Sequence, residues 1–353
     1  MNYAATLKRL LDTAVTRDAS DLHIAVNRFP TLRIYGALVP LDIEETVTPQ
    51  TAEGLISELM SSTQKERLVK DRQLDFAYST SDHVRFRVNA YFQQGNWAAS
   101  LRLVPANIRG IEELGLPPIL HDFAKMTQGF ILMVGPAGHG KSTTTAAILE
   151  EISRNRTAHI VTIEDPIEYL FSQERGIVSQ REVGSDTMSF ADGLRTVLRQ
   201  DPDVIMVGEM RDTDSISAAL TAAETGHLVF STLHTNSASQ TIDRIIDSFP
   251  PAQQQQIVAQ LATSLVAIVS ERLVPAVKGG RIPAMEVMVS NPAIRNLIRE
   301  RKIFGIDSVI QTGGKEGMMT LDHSLAALVK SKHITAENAE LFSLNPLELR
   351  KLI

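Results

Sequence analysis

A glycine-rich segment carries the residue types and the spacing best suited to chemistry in this chain. It matches the G-x-x-x-x-G-K-[ST] pattern of a phosphate-binding loop and consists of Gly135, Pro136, Ala137, Gly138, His139, Gly140, Lys141, Ser142 and Thr143. Glycines allow backbone N–H groups to turn inward around phosphates, Lys141 can reach the outer phosphates, and the Ser142 hydroxyl can ligate Mg²⁺. The pattern therefore predicts binding of a nucleoside triphosphate with Mg²⁺.

The segments on either side of this loop support the same interpretation. Residues 130–134 are an apolar run typical of a buried strand, and residues 144–149 have the composition of a helix. A strand before the loop and a helix after it are the context that the motif requires, and the helix N-terminus adds a positive dipole end facing the anion. This context disfavours the alternative, an ordinary glycine-rich turn.

Polar side chains also follow the later apolar runs of the same region. Glu164 follows residues 159–163, Glu209 follows residues 204–208, and His234 follows residues 228–233. In open α/β sheets, ligands bind beyond the carboxyl ends of the strands, so these three side chains are expected to converge near the phosphate loop. Any single carboxylate can instead be a helix cap, but three strand ends that agree favour a common site.

Phosphoryl transfer to water requires neutralised phosphate charge and a water aligned for in-line attack. Lys141 and a Mg²⁺ on Ser142 supply the first, whereas Glu164 and Glu209 are the candidates for the second. Glu209 can alternatively hold the hydration shell of Mg²⁺, and the sequence does not divide these roles. His234 is interpreted as a sensor of the γ-phosphate or of the Mg²⁺ shell, because His227 and His234 flank a strand and do not have the spacing of a zinc site.

The elements of this second region predict a doubly wound parallel sheet. Four apolar runs, separated by helical segments, read as strands at residues 130–134, 159–163, 204–207 and 228–233. Alternating strands and helices are typical of α/β domains. We therefore expect an ATPase domain over residues 119–353, with a mainly helical subregion from about residue 252 and a linker over residues 105–118.

Residues 1–104 predict a smaller α+β domain. A first helix precedes strands at residues 21–25 and 31–36, and residues 51–70 read as one or two helices. Residues 84–92 alternate between apolar and polar side chains, with Arg87 on the polar face, and Arg102 lies opposite Leu101 and Leu103 in residues 98–104. Taken alone, these arginines are explained by solvent coverage of a sheet.

Composition limits the classes of function. The chain has 353 residues, is 43% hydrophobic and has a net charge of −6, so two domains are expected and no overall charge attracts nucleic acid. It has no cysteine, which excludes disulfides and thiolate metal sites.

The N-terminal residues read as an amphipathic helix and not as a signal peptide, so we expect a cytoplasmic protein. The apolar stretch at 257–269 is shorter than the roughly 20 residues of a spanning helix, so membrane association is expected to be peripheral.

Four segments, in this order, resemble the motor ATPases of type IV pilus and type II secretion systems. The phosphate loop, residues 163–168, residues 201–212 and residues 226–236 are similar to their Walker A, Asp, Walker B and His boxes, and residues 20–23 extend the similarity. The resemblance implies a RecA-like ATPase domain with a PAS-like N-terminal domain, hydrolysis of ATP with Mg²⁺, and a homohexamer.

Within this family the chain resembles the retraction motors. Residues 293–300 match their C-terminal signature, although on periodicity alone this segment is a plain surface helix. Assembly-type relatives carry a longer N-terminal region and usually a four-cysteine metal insert, and this chain has neither. The resemblance implies an inner-membrane platform protein as partner, with a paralogous retraction ATPase as a further candidate, no nucleic acid and no transmembrane segment.

The resemblance also implies roles for individual residues. The family uses arginines of the N-terminal domain to reach the nucleotide, and Arg87 and Arg102 stand at the matching positions, as arginine fingers would. The phosphate loop departs from the family at Ala137 and His139, where threonine and serine are typical. Since backbone N–H groups form most of the cradle, His139 is expected to preserve binding but to alter turnover or its pH dependence.

Three other functions stay open on the sequence. The chain can be an assembly-type secretion ATPase, because assembly and disassembly share the same hydrolytic chemistry. It can be an ATP-gated accessory subunit of a pilus motor, although Glu164, Glu209 and His234 argue for hydrolysis. A RecA-like motor that translocates DNA is the third, and it predicts DNA binding that is sensitive to salt.

Overall fold

The computed structural model describes residues 2–42, 44–81, 84–104 and 107–353. The chain divides into two compact units, of which the first contains Met1–Asn107 and Pro166–Leu170 and the second contains Ile108–Asp165 and Phe171–Ile353. The predicted linker starts at residues 105 and 106, which lie outside the described residues. The α/β class expected from the sequence is confirmed.

The described residues of the first unit form an antiparallel sheet with three helices. The strand order is β3-β2-β1-β6-β5-β4. The elements are α1 (Tyr3–Thr16), β1 (Asp21–Ile24), β2 (Thr31–Ile34), β3 (Ala37–Pro40), α2 (Pro49–Ser57), α3 (Ser62–Asp71), β4 (Gln73–Ser79), β5 (Arg85–Gln93) and β6 (Asn96–Leu103). Residues 51–70 therefore form parts of two helices, since Ser61 caps α3 after a short break.

One face of this sheet is apolar and the other is polar. The apolar face packs with α1 and α2 in a single core that includes Leu10, Leu22, Phe86 and Leu101. On the opposite face, cross-strand pairing places four charged residues in one row, Arg33, Asp21, Arg102 and Arg87. The alternation that predicted a half-solvated sheet is confirmed, because successive side chains of a strand point to opposite faces.

The described residues of the second unit contain a sheet of order β13-β12-β7-β11-β10-β8-β9. All neighbouring strands are parallel except β13, which pairs antiparallel with β12. The strands are β7 (Gly129–Val134), β8 (His159–Glu164), β9 (Ile177–Glu182), β10 (Val204–Val207), β11 (Leu228–Leu233), β12 (Leu265–Pro275) and β13 (Arg281–Val289). Strands β7, β10 and β11 are buried along their whole length, which explains their continuous apolar runs.

Helices cover this sheet and extend beyond it. They are α4 (Ile119–Lys125), α5 (Lys141–Asn155), α6 (Phe190–Val197), α7 (Thr213–Glu224), α8 (Ala238–Asp247), α9 (Pro251–Ser264), α10 (Pro292–Arg299), α11 (Ile306–Thr312), α12 (Leu321–Lys330), α13 (Ala336–Phe342) and α14 (Pro346–Leu352). Polar side chains cap the N-termini of several helices. The side chains of Ser189, Asp212, Ser237 and Asn291 accept a hydrogen bond from a backbone N–H in the first turn of α6, α7, α8 and α10.

The region beyond residue 252 contains two strands that the sequence analysis did not predict. Alongside the helices α9 to α14 that were expected there, the two long strands β12 and β13 extend the sheet. The apolar stretch at 257–269 covers the end of α9 and the start of β12. A fully buried strand and a buried helix have similar apolar runs, so periodicity does not distinguish them. Strands β3, β4 and β9 were also missed.

No helix in the part of the chain that the structure describes has both the length and the apolar composition that crossing a membrane requires.

The buried core of the first unit gives a stability prediction. Phe86 is fully buried on β5, so Phe86→Ala should remove about 3–5 kcal/mol from the free energy of unfolding of this unit. Val69 is half exposed on α3, and Val69→Ala should change it by less than about 0.5 kcal/mol. Urea unfolding followed by circular dichroism measures both, and equal effects would contradict the assigned core.

Candidate active site

The phosphate loop connects the end of β7 to the start of α5. Its glycines adopt backbone angles that favour glycine, with φ of 140° at Gly135, 74° at Gly138 and 98° at Gly140. Two of them also lack room for a side chain. A Cβ at Gly135 would overlap the main-chain oxygen of Glu271 on β12, and one at Gly140 would overlap the Glu271 carboxyl group. The glycines of the motif are therefore required by packing as well as by conformation.

Lys141 is the first residue of α5 and is buried. Its Nζ donates to the main-chain oxygens of Gly135 and Pro136, both at 2.8 Å. The lysine therefore lies within the curve of the loop, where it can neutralise phosphate charge. Ser142 follows it in the first turn of the helix, where the backbone N–H groups point toward the N-terminal end and the loop. This arrangement suits an anion, as the sequence predicts.

Three strand ends converge next to this loop. Strands β8, β10 and β11 are parallel neighbours, so Glu164, Glu209 and His234 leave the same edge of the sheet. The Glu209 Oε2 and His234 Nε2 atoms are 3.6 Å apart, and Arg211 donates to the other oxygen of Glu209. The structure therefore brings together the acidic and histidine residues of two strand ends that the sequence singles out.

The charges of this pair are set by their surroundings. Burial raises the pKa of Glu209, but the hydrogen bond from Arg211, its charge and the nearby His234 outweigh burial and hold this pKa below its usual value. Burial and the charge of Lys141 lower the pKa of His234 against the opposing effect of Glu209. At neutral pH the site therefore presents an ionised carboxylate beside a neutral imidazole.

Glu164 lies in a different environment from Glu209. It is buried, and its Oε1 accepts from Thr162 Oγ1 at 2.6 Å and from Gln180 Nε2 at 3.2 Å. Gly208 of the neighbouring strand end lies directly beside the Glu164 main chain. The hydrogen bonds from Thr162 and Gln180 hold the Glu164 side chain within the edge of the sheet, whereas Glu209 faces His234. This difference separates two candidates that the sequence leaves equivalent.

Arg87 and Arg102 lie next to each other on the polar face of the first unit. Arg102 Nε donates to Asp21 Oδ1 at 2.9 Å, and 68% of the Arg102 side chain stays exposed. Both arginines line a cavity of about 200 Å³ within this unit, together with Leu103, Val104, Ile167, Glu168 and Tyr169. Their role as arginine fingers stays a prediction.

His139 has a structural partner. Its Nδ1 accepts from the backbone N–H of Leu273 on β12 at 3.0 Å, and its ring lies 6.2 Å from the ring of Phe342. Burial and the charges of Arg272, Arg281 and Lys141 lower its pKa, which keeps the accepting nitrogen unprotonated. This unusual residue of the loop therefore ties the loop to β12, a role that sequence reasoning did not find.

Glu271 is the principal residue that sequence reasoning missed. It is buried on β12 beneath the phosphate loop, and its Oε2 accepts from Thr144 Oγ1 at 2.8 Å. Burial raises the pKa of Glu271 to about 8, against the opposing effects of the Thr144 hydrogen bond and the charge of Lys141. A signal existed in the sequence, because Glu271 follows the apolar run 265–269 just as Glu164 and Glu209 follow theirs.

Residues 3–291 match the family described as type II/IV secretion system protein. The chain belongs to this family. The resemblance stated from the four sequence segments is thereby confirmed at the level of the family.

Individual members of the family are similar over almost the whole chain. The type IV pilus retractation ATPase PilT of Pseudomonas aeruginosa is 42% identical over 94% of this chain and 96% of its own. A twitching motility protein of Neisseria gonorrhoeae is 42% identical over 88% of this chain and 83% of its own. A crystal structure of the pilus retraction motor PilT with bound ADP has a TM-score of 0.91 at 44% identity, covering 97% of this chain and 98% of that one.

The buried Glu271 predicts a pH dependence of stability. This carboxyl group ordinarily titrates near pH 4.5 but keeps its proton to about pH 8 in the folded chain. Between these values the folded state binds the additional proton, so stability falls as pH rises, by at most about 1.4 kcal/mol per pH unit for this group. Glu271→Gln cannot ionise and should lose less stability between pH 5 and pH 8 than the unaltered chain.

Chemical denaturation at several pH values measures the two slopes. Glu286, whose pKa burial raises to about 7, contributes to both proteins alike and does not affect the difference. Parallel slopes for the two proteins would show that Glu271 is ionised in the folded chain.

Proposed function

We propose that this chain hydrolyses ATP and uses the energy to power retraction of type IV pili. The observation that carries the proposal is the carboxylate of Glu209 beside the neutral His234, at the sheet edge where the loop with Lys141 also lies. A base and a hydrogen-bonding group next to a phosphate loop are the parts that phosphoryl transfer to water needs. The similarity to named retraction and twitching proteins supports the biological role.

The residues of the phosphate loop suit ATP with Mg²⁺. A PilT structure of the same fold has ADP bound, which supports an adenine nucleotide for this chain as well. No group of three or more His, Cys, Asp or Glu side chains that could hold a metal ion occurs among the described residues. Mg²⁺ typically uses few protein ligands together with phosphate oxygens, so Ser142 fits as its ligand, with Glu209 acting through water. When bound, the ion neutralises charge on the phosphates.

We assign the role of orienting and polarising the attacking water to Glu209. Its carboxylate is ionised and faces His234, whereas Glu164 is engaged with Thr162 and Gln180. Glu164 then supports the shape of the site. The neutral His234 is suited to a hydrogen bond with the γ-phosphate or the Mg²⁺ shell. We further propose that Arg87 and Arg102 stabilise negative charge on the nucleotide, as arginine fingers do.

The assembly follows from the same family resemblance. We propose a homohexamer in the cytoplasm, peripherally associated with the inner membrane through the pilus platform protein, with a paralogous retraction ATPase as a further candidate partner. Domain closure on ATP and opening after hydrolysis would convert the chemical step into rotation of one domain against the other. The net charge of −6 gives no support for nucleic acid as a partner.

The hydrolytic role of Glu209 has a direct test. Glu209→Ala should lower ATP turnover by about 10²-fold or more, because the group that orients the attacking water is lost. Nucleotide affinity should change much less, since the phosphate loop is intact. The matched control is Glu53→Ala at an exposed position of α2, which should keep full turnover. Turnover that survives in Glu209→Ala would contradict this assignment.

The direction of force is tested in cells. Deletion of the encoding gene should leave excess surface pili and abolish twitching, and a copy carrying Glu209→Ala should not restore motility. Counting pili by electron microscopy separates the alternatives. Loss of pili would point to an assembly motor, and restored retraction by the inactive copy would point to an ATP-gated accessory subunit.

A further inference from the structure

We propose that β12 aligns the two halves of the active site, with its adjacent residues Glu271 and Arg272 as positioning residues. Glu271 holds the phosphate loop, and Arg272 holds the segment that carries His234. This inference rests on the proposed function, since it concerns how the same site is kept in its working geometry.

The position of β12 in the sheet makes this possible. It pairs in parallel with β7, the strand that leads into the phosphate loop, with Ser270 opposite Val134 at the end of β7. Residues 270–272 therefore lie level with the start of the loop. Successive side chains of a strand point to opposite faces, so Glu271 points to one face while Ser270 and Arg272 point to the other.

On the first face, β12 fastens the phosphate loop at several points. Glu271 accepts from Thr144 in the first turn of α5, and its carboxyl group packs directly against Gly140. The main-chain oxygen of Glu271 packs against Gly135, and the N–H of Leu273 donates to His139. Both ends of the loop therefore rest on two alternate residues of one strand, Glu271 and Leu273.

On the second face, β12 fastens the segment after β11. Arg272 Nη2 donates to Asn236 Oδ1 at 2.9 Å, and Ser270 Oγ donates to the main-chain oxygen of Asn236 at 2.9 Å. Asn236 lies two residues after His234, so these bonds restrain the backbone that carries the imidazole. On β13, Glu286 pairs with Ser270 across the strands and accepts from the N–H of Ala238 at 2.7 Å.

The side chain of His234 needs such restraint. It is 47% exposed, and its Nε2 atom lies 3.6 Å from the Glu209 carboxylate. The His234 main-chain oxygen accepts from Arg244 Nη1 at 3.5 Å, a longer distance than the 2.9 Å of the hydrogen bonds from β12 to Asn236. The closer hydrogen bonds from β12 to Asn236 therefore add a restraint on the backbone that carries His234.

The Arg272 half of the proposal is tested by a double-mutant cycle. Arg272→Ala and Asn236→Ala should each lower kcat of the full chain by about tenfold and change the Kd for ADP by less than about twofold. The double variant should be no slower than either single one, because both remove the same hydrogen bond. Arg272→Lys, which keeps a charged donor, should recover part of the loss. Arg350→Ala, at a surface ion pair with Glu340, is the control with unchanged turnover.

For Glu271 the proposal predicts a change in ADP affinity, whereas for Arg272 and Asn236 it predicts a change in kcat. Glu271→Ala should weaken ADP binding by about tenfold, because the first turn of α5 loses its support, whereas Glu271→Gln still accepts from Thr144 and should keep normal affinity. Titration with a fluorescent ADP analogue measures both, with thermal unfolding to confirm that each variant is folded.

Several outcomes would overturn this inference. Additive losses of kcat in the Arg272 and Asn236 variants would show that they act separately, and equal affinity in Glu271→Ala and the unaltered chain would remove the second half. A chain without turnover would instead contradict the proposed function. In that case ADP affinity still tests the positioning role of Glu271. Hydrogen exchange of residues 234–237, which should rise in Arg272→Ala, still tests the positioning role of Arg272.

Discussion

Gly135 and Gly140 allow the phosphate loop to pack so closely on β12 that neither position has space for a side chain. This contact places the buried Glu271 beneath the loop and lets Leu273 bond to His139. Arg272 on the same strand also donates to Asn236, two residues after His234. Strand β12 therefore restrains both the phosphate loop and the segment that follows His234. The architecture of the site depends on this one close approach between a loop and a strand.

The surroundings of the acidic residues set their protonation states and positions. Glu209 keeps its charge because Arg211 and His234 outweigh its burial, whereas Glu271 keeps its proton because it lies in the core. Glu164 is fixed by Thr162 and Gln180. Three glutamates that each come after an apolar run thus have three environments, and Glu209 lies beside the histidine of the neighbouring strand end.

Much of the fold was predictable because short buried strands separated by helices leave distinct apolar runs in the sequence. Strands β7, β8, β10 and β11 lie where their apolar runs indicate, and the loop with Lys141 follows β7 as its spacing requires. Strand β12 was missed because it follows α9 without a break and one mostly apolar stretch, residues 257–269, spans the junction. With it, the sequence analysis missed Glu271 and Arg272, although the polar residue at the end of an apolar run is the signal that identified Glu164 and Glu209.

The amino-acid sequence by itself determined the family, the phosphate loop and the strand-end residues, because these depend on residue types at fixed spacing along the chain. Only the tertiary structure decided that His139 bonds to Leu273, that Glu209 lies beside His234, and that Glu271 lies beneath the loop. These contacts join residues far apart in sequence, and burial, which sets their charges, exists only once the strands have assembled.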